Sequence, residues 1–369
     1  AQVDGTPGND DMPGRLTFHT TPDGSNTPSE RVRITKDGYF GINDTSPGTR
    51  LVVKQNNGTA YNDQAQTASA NAAVFKNTNG HTSGGTYTGF QFNVTGDSQN
   101  RICSIGMISE SSGNRDSSLV FHTDDNGNRI EKLRITSDGR VLIGTTSSRT
   151  VGGVGCHLQV EGTGATDSSI SLVRNTNGAT HPPYLMFGKS RSGSLGGNTI
   201  VQDDDLLGYI SFNGSDGNDL DGGAAAIQAL IDGTPGSNDM PGRLEFMTTS
   251  DGSNSPTTRV TINRSGDLTA TGNVTAYSDI SLKENIETIP NALDKVLSLR
   301  GVEFDRTDTP KKEHQIGVIA QEVEKVIPEV VLEDKGIKSV AYGNLVGLLI
   351  ESIKELKAEV NDLKAQLEG

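Results

Sequence analysis

Residues 15–38 read RLTFHTTPDGSNTPSERVRITKDG, and a close copy, RLEFMTTSDGSNSPTTRVTINRSG, returns at residues 243–266. Leu16-Thr17-Phe18 alternates apolar and polar side chains as a half-buried strand does, and Arg31-Val32-Arg33-Ile34-Thr35 alternates in the same way. Asp23-Gly24 and Asp37-Gly38 supply the turns between, glycine taking the positive φ that a tight turn needs. The stretch therefore predicts a β-hairpin followed by a further strand. A more degenerate third copy, SLVFHTDDNGNRIEKLRITSDGRVLIG, fills residues 118–144. Leu16, Leu119 and Leu244 are equivalent, 103 and then 125 residues apart. That period is too long for a solenoid, so each copy reads as a small module. Just upstream, DGTPGNDDMPGR (4–15) matches DGTPGSNDMPGR (232–243), and the opening AQVDGTPG aligns with ALIDGTPG at 229–236. The chain thus opens inside a repeat, as expected of a processed product or one end of a longer fibrous protein.

Composition explains why such modules would not stand alone. The 369 residues include 45 Gly and only 17 aromatic residues with no Trp, and 32% are hydrophobic. Large side chains are too few for a set of monomeric cores of this length. Each predicted strand brings two or three apolar side chains and leaves open sheet edges. Winding several identical chains together closes those edges, so a fibrous homo-oligomer is expected.

Composition changes sharply near residue 277. Residues 1–277 hold 39 Gly and 48 charged residues, whereas the last 92 hold 6 Gly and 30 charged residues. The first part reads as strands and turns, the second as a mixed domain ending in a long helix. Tyr342, Val346, Leu349, Ile353, Leu356, Val360, Leu363 and Leu367 follow alternating steps of four and three, the a/d seam of a coiled coil. Lys354, Glu355, Lys357, Glu359 and Lys364 read as its soluble flanks. An amphipathic helix packed on its own domain would show a similar stripe.

Three segments of the last 92 residues carry a resemblance: SDISLKENI (278–286), GVIAQEVEKVIPEVV (317–331) and AYGNLVGLLIESIKEL (341–356). In this order they resemble the self-cleaving intramolecular chaperone domain at the C-termini of phage tail fibres and tailspikes, and the upstream repeats are similar to tail-fibre repeats. Ser281 stands where that family usually has Arg. The resemblance implies a mainly β, elongated homotrimeric fibre of repeated β-modules, followed by a small α+β chaperone domain ending in a trimeric coiled-coil helix. The expected divisions are a partial repeat (1–50), two β-modules (51–150 and 151–277) and the chaperone (278–369), with its coiled coil at 342–368. Trimer rather than dimer comes from the resemblance, because a mixed Val/Ile/Leu seam does not set the number.

The resemblance also implies that the assembled trimer cuts each chain between Tyr277 and Ser278, with Ser278 as nucleophile, Lys283 as base and Asp279 orienting the turn. A serine hydroxyl needs an adjacent base, and lysine serves only when burial favours its neutral amine. Five residues along a helix put two side chains about 140° apart, and on a strand they face opposite sides. The pair therefore needs a turn between its members, or a neighbouring chain. Taken alone, Ser-Asp is also a common helix N-cap and Lys a common solvated residue.

The function expected is a virion tail fibre or tailspike for host attachment, assembled in the host cytoplasm. Its enzymatic activity would be a single autoproteolytic turnover, with none on other substrates. Expected partners are two further copies of the chain, other tail proteins, and a host-surface glycan or protein receptor. A polysaccharide depolymerase tailspike and a bacterial surface adhesin with the same chaperone are the alternatives. A net charge of −14 argues against nucleic acid, and no apolar run approaches the ~20 residues of a membrane span. No secretory signal opens the chain. No cofactor or metal is expected: Cys103 and Cys156 read as buried thiols. Asp124-Asp125-Asn126-Gly127-Asn128 and Asp216-Gly217-Asn218-Asp219 lack the glutamate of a calcium loop, with Ile135 and Gln228 at or near its place. Asp203-Asp204-Asp205 could bind a cation or be half of a glycosidase pair, whose second carboxylate a sequence cannot show. His19, His122, His157 and His181 are scattered, and Met247 replaces His19 and His122 in the last repeat.

Overall fold

The computed structural model describes residues 1–55, 73–78, 85–94, 101–110, 116–125, 127–308 and 314–368. The chain divides into two compact units, residues 1–184 and 185–369. The structure is mainly β, as expected.

The first unit holds two sheets. One runs in sequence order through β1 (Gln2–Val3), β2 (Gly14–Thr20), β3 (Ser29–Ile34), β4 (Phe40–Ile42) and β5 (Leu51–Val53). The other contains β6 (Tyr87–Val94), β7 (Arg101–Ser109), β8 (Ser117–Asp125), β9 (Asn128–Ile135), β10 (Val141–Ile143) and β11 (Leu158–Val160). The second unit opens with an antiparallel sheet of β12 (Leu206–Gly214), β13 (Gly222–Ile231), β14 (Gly242–Thr248), β15 (Thr257–Ile262) and β16 (Leu268–Ala270).

The three sequence repeats fold alike down to their irregularities. Leu16 pairs with Ile34, Leu119 with Ile135 and Leu244 with Ile262. The register shifts at the same place in each hairpin, between Phe18 and His19, Phe121 and His122, and Phe246 and Met247. Gly24 and Gly252 take φ of 77° and 78° at equivalent turns. Polar contacts repeat as well: the Asp4 carboxylate accepts from the Lys36 amide at 2.9 Å, and Asp232 accepts from the Arg264 amide at 2.9 Å. Arg31 and Arg259 each donate to a threonine on the facing strand, Thr20 and Thr248, at 3.0 Å. The first two copies end in a parallel partner strand, β5 and β11. The third stops at β16, and the chain runs on towards Ser278.

Burial is thin. Among the described residues nine hydrophobic side chains are buried, including Val120, Leu142 and Ile231, whereas Phe18, Phe90, Phe92 and Phe212 are half exposed or more. Strand alternation decides which face is covered, and this corrects the reading of the cysteines. Ser104 is buried and its neighbour Cys103 is exposed on the other face, and Cys156 is exposed in the loop before β11.

The remainder of the second unit is a small α+β region. It has two hairpins, β17 (Val302–Asp305) with β18 (His314–Gly317) and β19 (Val331–Asp334) with β20 (Ile337–Val340). Three helices, α1 (Ala292–Leu297), α2 (Ala320–Val326) and α3 (Leu345–Glu368), complete it. Ala292, Val323, Val330 and Leu348 are its buried apolar residues. Gly317 sits where a Cβ would stand 2.8 Å from the Tyr342 hydroxyl and 3.3 Å from the Phe304 ring, so a side chain there would displace the tyrosine tip. No described helix is long and apolar enough to cross a membrane.

Candidate active site

Past β16 the chain reaches Ser278 and then makes one 3-10 turn, Ile280–Leu282. Asp279 caps it with an extended backbone (φ −66°, ψ 142°). One of its carboxylate oxygens accepts both the Ser281 amide, at 2.8 Å, and the Ser281 hydroxyl, at 2.6 Å. These two bonds, the hydroxyl's first, hold the Asp279 carboxyl below its ordinary range, so it stays ionised as a cap. The turn closes with the Lys283 amide donating to the Ile280 carbonyl at 3.1 Å.

That single turn supplies what a five-residue spacing lacks on a helix or a strand. It folds Lys283 back so that its Nζ lies 2.7 Å from Ser278 Oγ and 3.0 Å from the Ser278 carbonyl oxygen. The contact lies within one chain. Ser278 and Lys283 are exposed, and so are the apolar side chains around them, Tyr277, Ile280, Leu282 and Ile286. Ser281 is part of the construction, because its hydroxyl and amide are the donors that hold Asp279.

The seam residues lie on α3, and the helix has two different faces. Leu348 and Ser352 are buried, and Glu355 continues that face. The Glu355 carboxylate accepts the Ala292 amide at 3.0 Å and the Leu293 amide at 2.7 Å, capping α1. These bonds, Leu293's first, lower the Glu355 pKa. The sequence read Glu355 as a solvated flank, because a cap supplied from 62 residues away has no local signature. Val346, Leu349, Ile353, Leu356, Val360, Leu363 and Leu367 stay 36–87% exposed. Tyr342 precedes the helix in a 3-10 turn, where its hydroxyl accepts from the Val318 amide at 3.4 Å.

The remaining acidic candidates disperse. Asp205 takes Arg191 and Lys189, Asp204 pairs with Arg243, and Asp203 accepts the Gly233 amide. Asp216 caps its own turn through the Asn218 and Asp219 amides. Of the other loop, Asn126 lies outside the described residues. His19 approaches the Thr17 hydroxyl at 3.2 Å and His122 the Ser104 hydroxyl at 3.4 Å.

The segment that carries the Ser278 and Lys283 pair has known relatives. Residues 278–332 match the family described as the chaperone of endosialidase. The match includes the pair and α2 and ends before α3. The chain is also similar to long tail fibre proteins Gp37. It is 38% identical to that of Enterobacteria phage K3 over 117 residues, which covers 28% of this chain and 9% of the relative. The Enterobacteria phage T2 protein matches to the same extent. The Enterobacteria phage M1 protein is 31% identical over 99 residues, covering 24% of this chain and 39% of the relative. The chain thus spans less than half the length of these relatives. Among solved structures it is similar to the carboxy-terminal domain of the bacteriophage T5 L-shaped tail fibre with its intramolecular chaperone domain. The TM-score is 0.45 and the identity 14%, over 82% of this chain and 99% of that one.

Proposed function

We propose that the chain is part of a phage tail fibre, a virion component for host attachment, in which residues 278–369 act as an intramolecular chaperone. It brings three copies of the upstream β-modules into register and then severs each chain between Tyr277 and Ser278. The observation that carries this reading is the approach of Lys283 Nζ to Ser278 Oγ, at 2.7 Å, inside the segment that matches the chaperone family.

The chemistry follows from that approach. The neutral Lys283 amine removes the Ser278 hydroxyl proton as Oγ attacks the Tyr277 carbonyl carbon. The C–N bond breaks, the Ser278 nitrogen takes up the proton, and Tyr277 is left as an ester on Oγ. Water then hydrolyses the ester, leaving a carboxylate on Tyr277 and restoring the hydroxyl. An ammonium has no lone pair to accept the proton, so the pair must be taken out of water before it acts. The exposed Tyr277, Ile280, Leu282 and Ile286 are surface that a neighbouring copy would cover, and covering them would desolvate Lys283. The exposed α3 seam provides the means of association. Cleavage is thereby tied to assembly.

The test is a denaturing gel of the expressed chain. The native sequence should yield pieces 1–277 and 278–369, and Ser278→Ala or Lys283→Ala should leave the 369-residue chain whole. Cleavage persisting in both variants would refute the pair. The native chain staying whole although it assembles would refute the cutting.

A further inference from the structure

Between β11 and β12 the chain runs 45 residues without a strand or helix. Compact domains rarely contain so long a structureless connection. Among the described residues, no backbone group of residues 168–190 bonds another backbone group. Yet the side chains are not those of a solvated loop. Ile170, Leu172 and Val173, and beyond Pro182-Pro183 also Leu185, Met186 and Phe187, are apolar and more than half exposed. A run of open amides and carbonyls with apolar side chains on both faces is what a strand looks like before it is paired.

The far end of this arm is anchored. Nearly buried Asp205 accepts Arg191 Nε at 2.7 Å and Nη2 at 2.9 Å, Lys189 Nζ at 3.2 Å and the Gln202 amide at 2.9 Å. Just before the clamp, Phe187 lies against β12, where a Cβ on Gly208 would stand 3.0 Å from Phe187 Cβ. A Cβ leaves a strand roughly perpendicular to its sheet. The arm therefore crosses the face of β12 and leaves that strand's edge open. Among the described residues β12 is the free edge of its sheet, and it is nine residues long.

A related sequence and ring contact occur in the second sheet. Residues 73–78 lie outside any strand, with Phe75 stacked on Phe90 of β6 at 4.4 Å and the Asn77 side chain donating to the Tyr87 carbonyl at 2.9 Å. β6, eight residues long, is the edge of that sheet among the described residues. The sequences agree too, VFKNTNG at 74–80 against LVRNTNG at 172–178. In both places an apolar segment precedes a long edge strand, whereas among the described residues the other ends of the three module sheets are strands of two or three residues.

We infer that residues 170–174 and 184–188 are strands donated to a second copy of this chain, where they extend the open edge of β12. The occupant is a second copy because one chain carries both unmet halves of the pairing, the unbonded arm and the open β12 edge. Donating an arm to one neighbour while accepting one from another is a head-to-tail contact, which closes into a ring under cyclic symmetry. Adding a strand to an exposed edge meets the main-chain groups of both partners. This inference rests on the assembly proposed above and assigns the residues that cross between copies.

Hydrogen exchange of the full-length assembled chain tests it. Amides of residues 170–174 and 184–188 should exchange about 100-fold or more slowly than in an unfolded chain, despite having no partner within the chain. A benzoylphenylalanine in place of Leu172 should, on irradiation, give a denaturing-gel band of two chains whose linked peptide contains β12. Free exchange of these amides, or cross-links within single chains only, would overturn the inference. Sedimentation of the same sample separates the two levels. Assembled chains with freely exchanging arms refute the donated strands and leave the fibre reading standing, whereas a monomer refutes both.

Discussion

The β-modules and the helical end of the chain leave different things unfinished. In the modules the ladders of the repeated hairpins form within the chain, with registers and bulges repeated three times, but the β12 edge is open and Phe18, Phe90 and Phe212 stand open on the sheet faces. Around α3 the inner face is finished: Leu348 and Ser352 are buried and Glu355 caps α1, and one outer stripe of seven apolar residues remains open. Hydrogen bonds form locally between neighbouring strands, whereas a hydrophobic face needs a second layer. In the assembly proposed here a module forms its hairpins from its own sequence and takes its edge partner and its core from other copies. The helical region has a small core of its own and can serve as the nucleus of assembly.

The largest expected effect comes from breaking the open stripe. Leu349→Asp with Ile353→Asp places two charges in the seam. The variant should sediment as single chains and lose its cleavage products, because both depend on association. Assembly surviving this change would mean that the modules, not the helix, bring the copies together.

Next in size is a contrast between the finished and unfinished surfaces. Leu348→Ala removes a buried side chain and should cost about 2–5 kcal/mol in denaturant unfolding whether or not the chain is assembled. Phe212→Ala should cost little in single chains and about 1.5–3 kcal/mol in the assembly, where the ring is covered. Equal costs in both states would remove the distinction between the regions.

A smaller effect lies at the Glu355 cap. Its carboxyl is lowered from the ordinary 4.5 by the amides it binds, so the cap's contribution is complete above that value and is lost as pH falls through the lowered one. Amide chemical shifts of Ala292 and Leu293 should titrate there, and in Glu355→Gln they should not. Smallest is Ser281→Ala, which removes the hydroxyl bond to Asp279 and keeps the amide bond. Cleavage timed on a gel should slow by about 3–10-fold, the worth of one hydrogen bond. No change would place Ser281 outside the machinery of the turn.

Much of this was legible locally. The alternation of Leu16 and Phe18, the Asp-Gly turns and the steps of four and three along α3 are properties of adjacent residues, and the strands, turns and helix follow them. What depends on distant partners was not legible. Glu355 read as a solvated flank until α1 was found against it. Cys103 read as buried until the register put Ser104 on the covered face. The arms went unread because apolar runs without ladder partners look the same as strands with them, although the shared Asn-Thr-Asn-Gly of 77–80 and 175–178 marks them as equivalent.

By itself, then, the sequence determined the repeat, its hairpins and the apolar stripe of α3, because alternation and helical spacing are short-range and each residue carries its own preference. Only the tertiary structure decided that the stripe stays uncovered within the chain and that Glu355 belongs to α1. Those outcomes are set by where backbones cross in space, and no spacing along the chain encodes them.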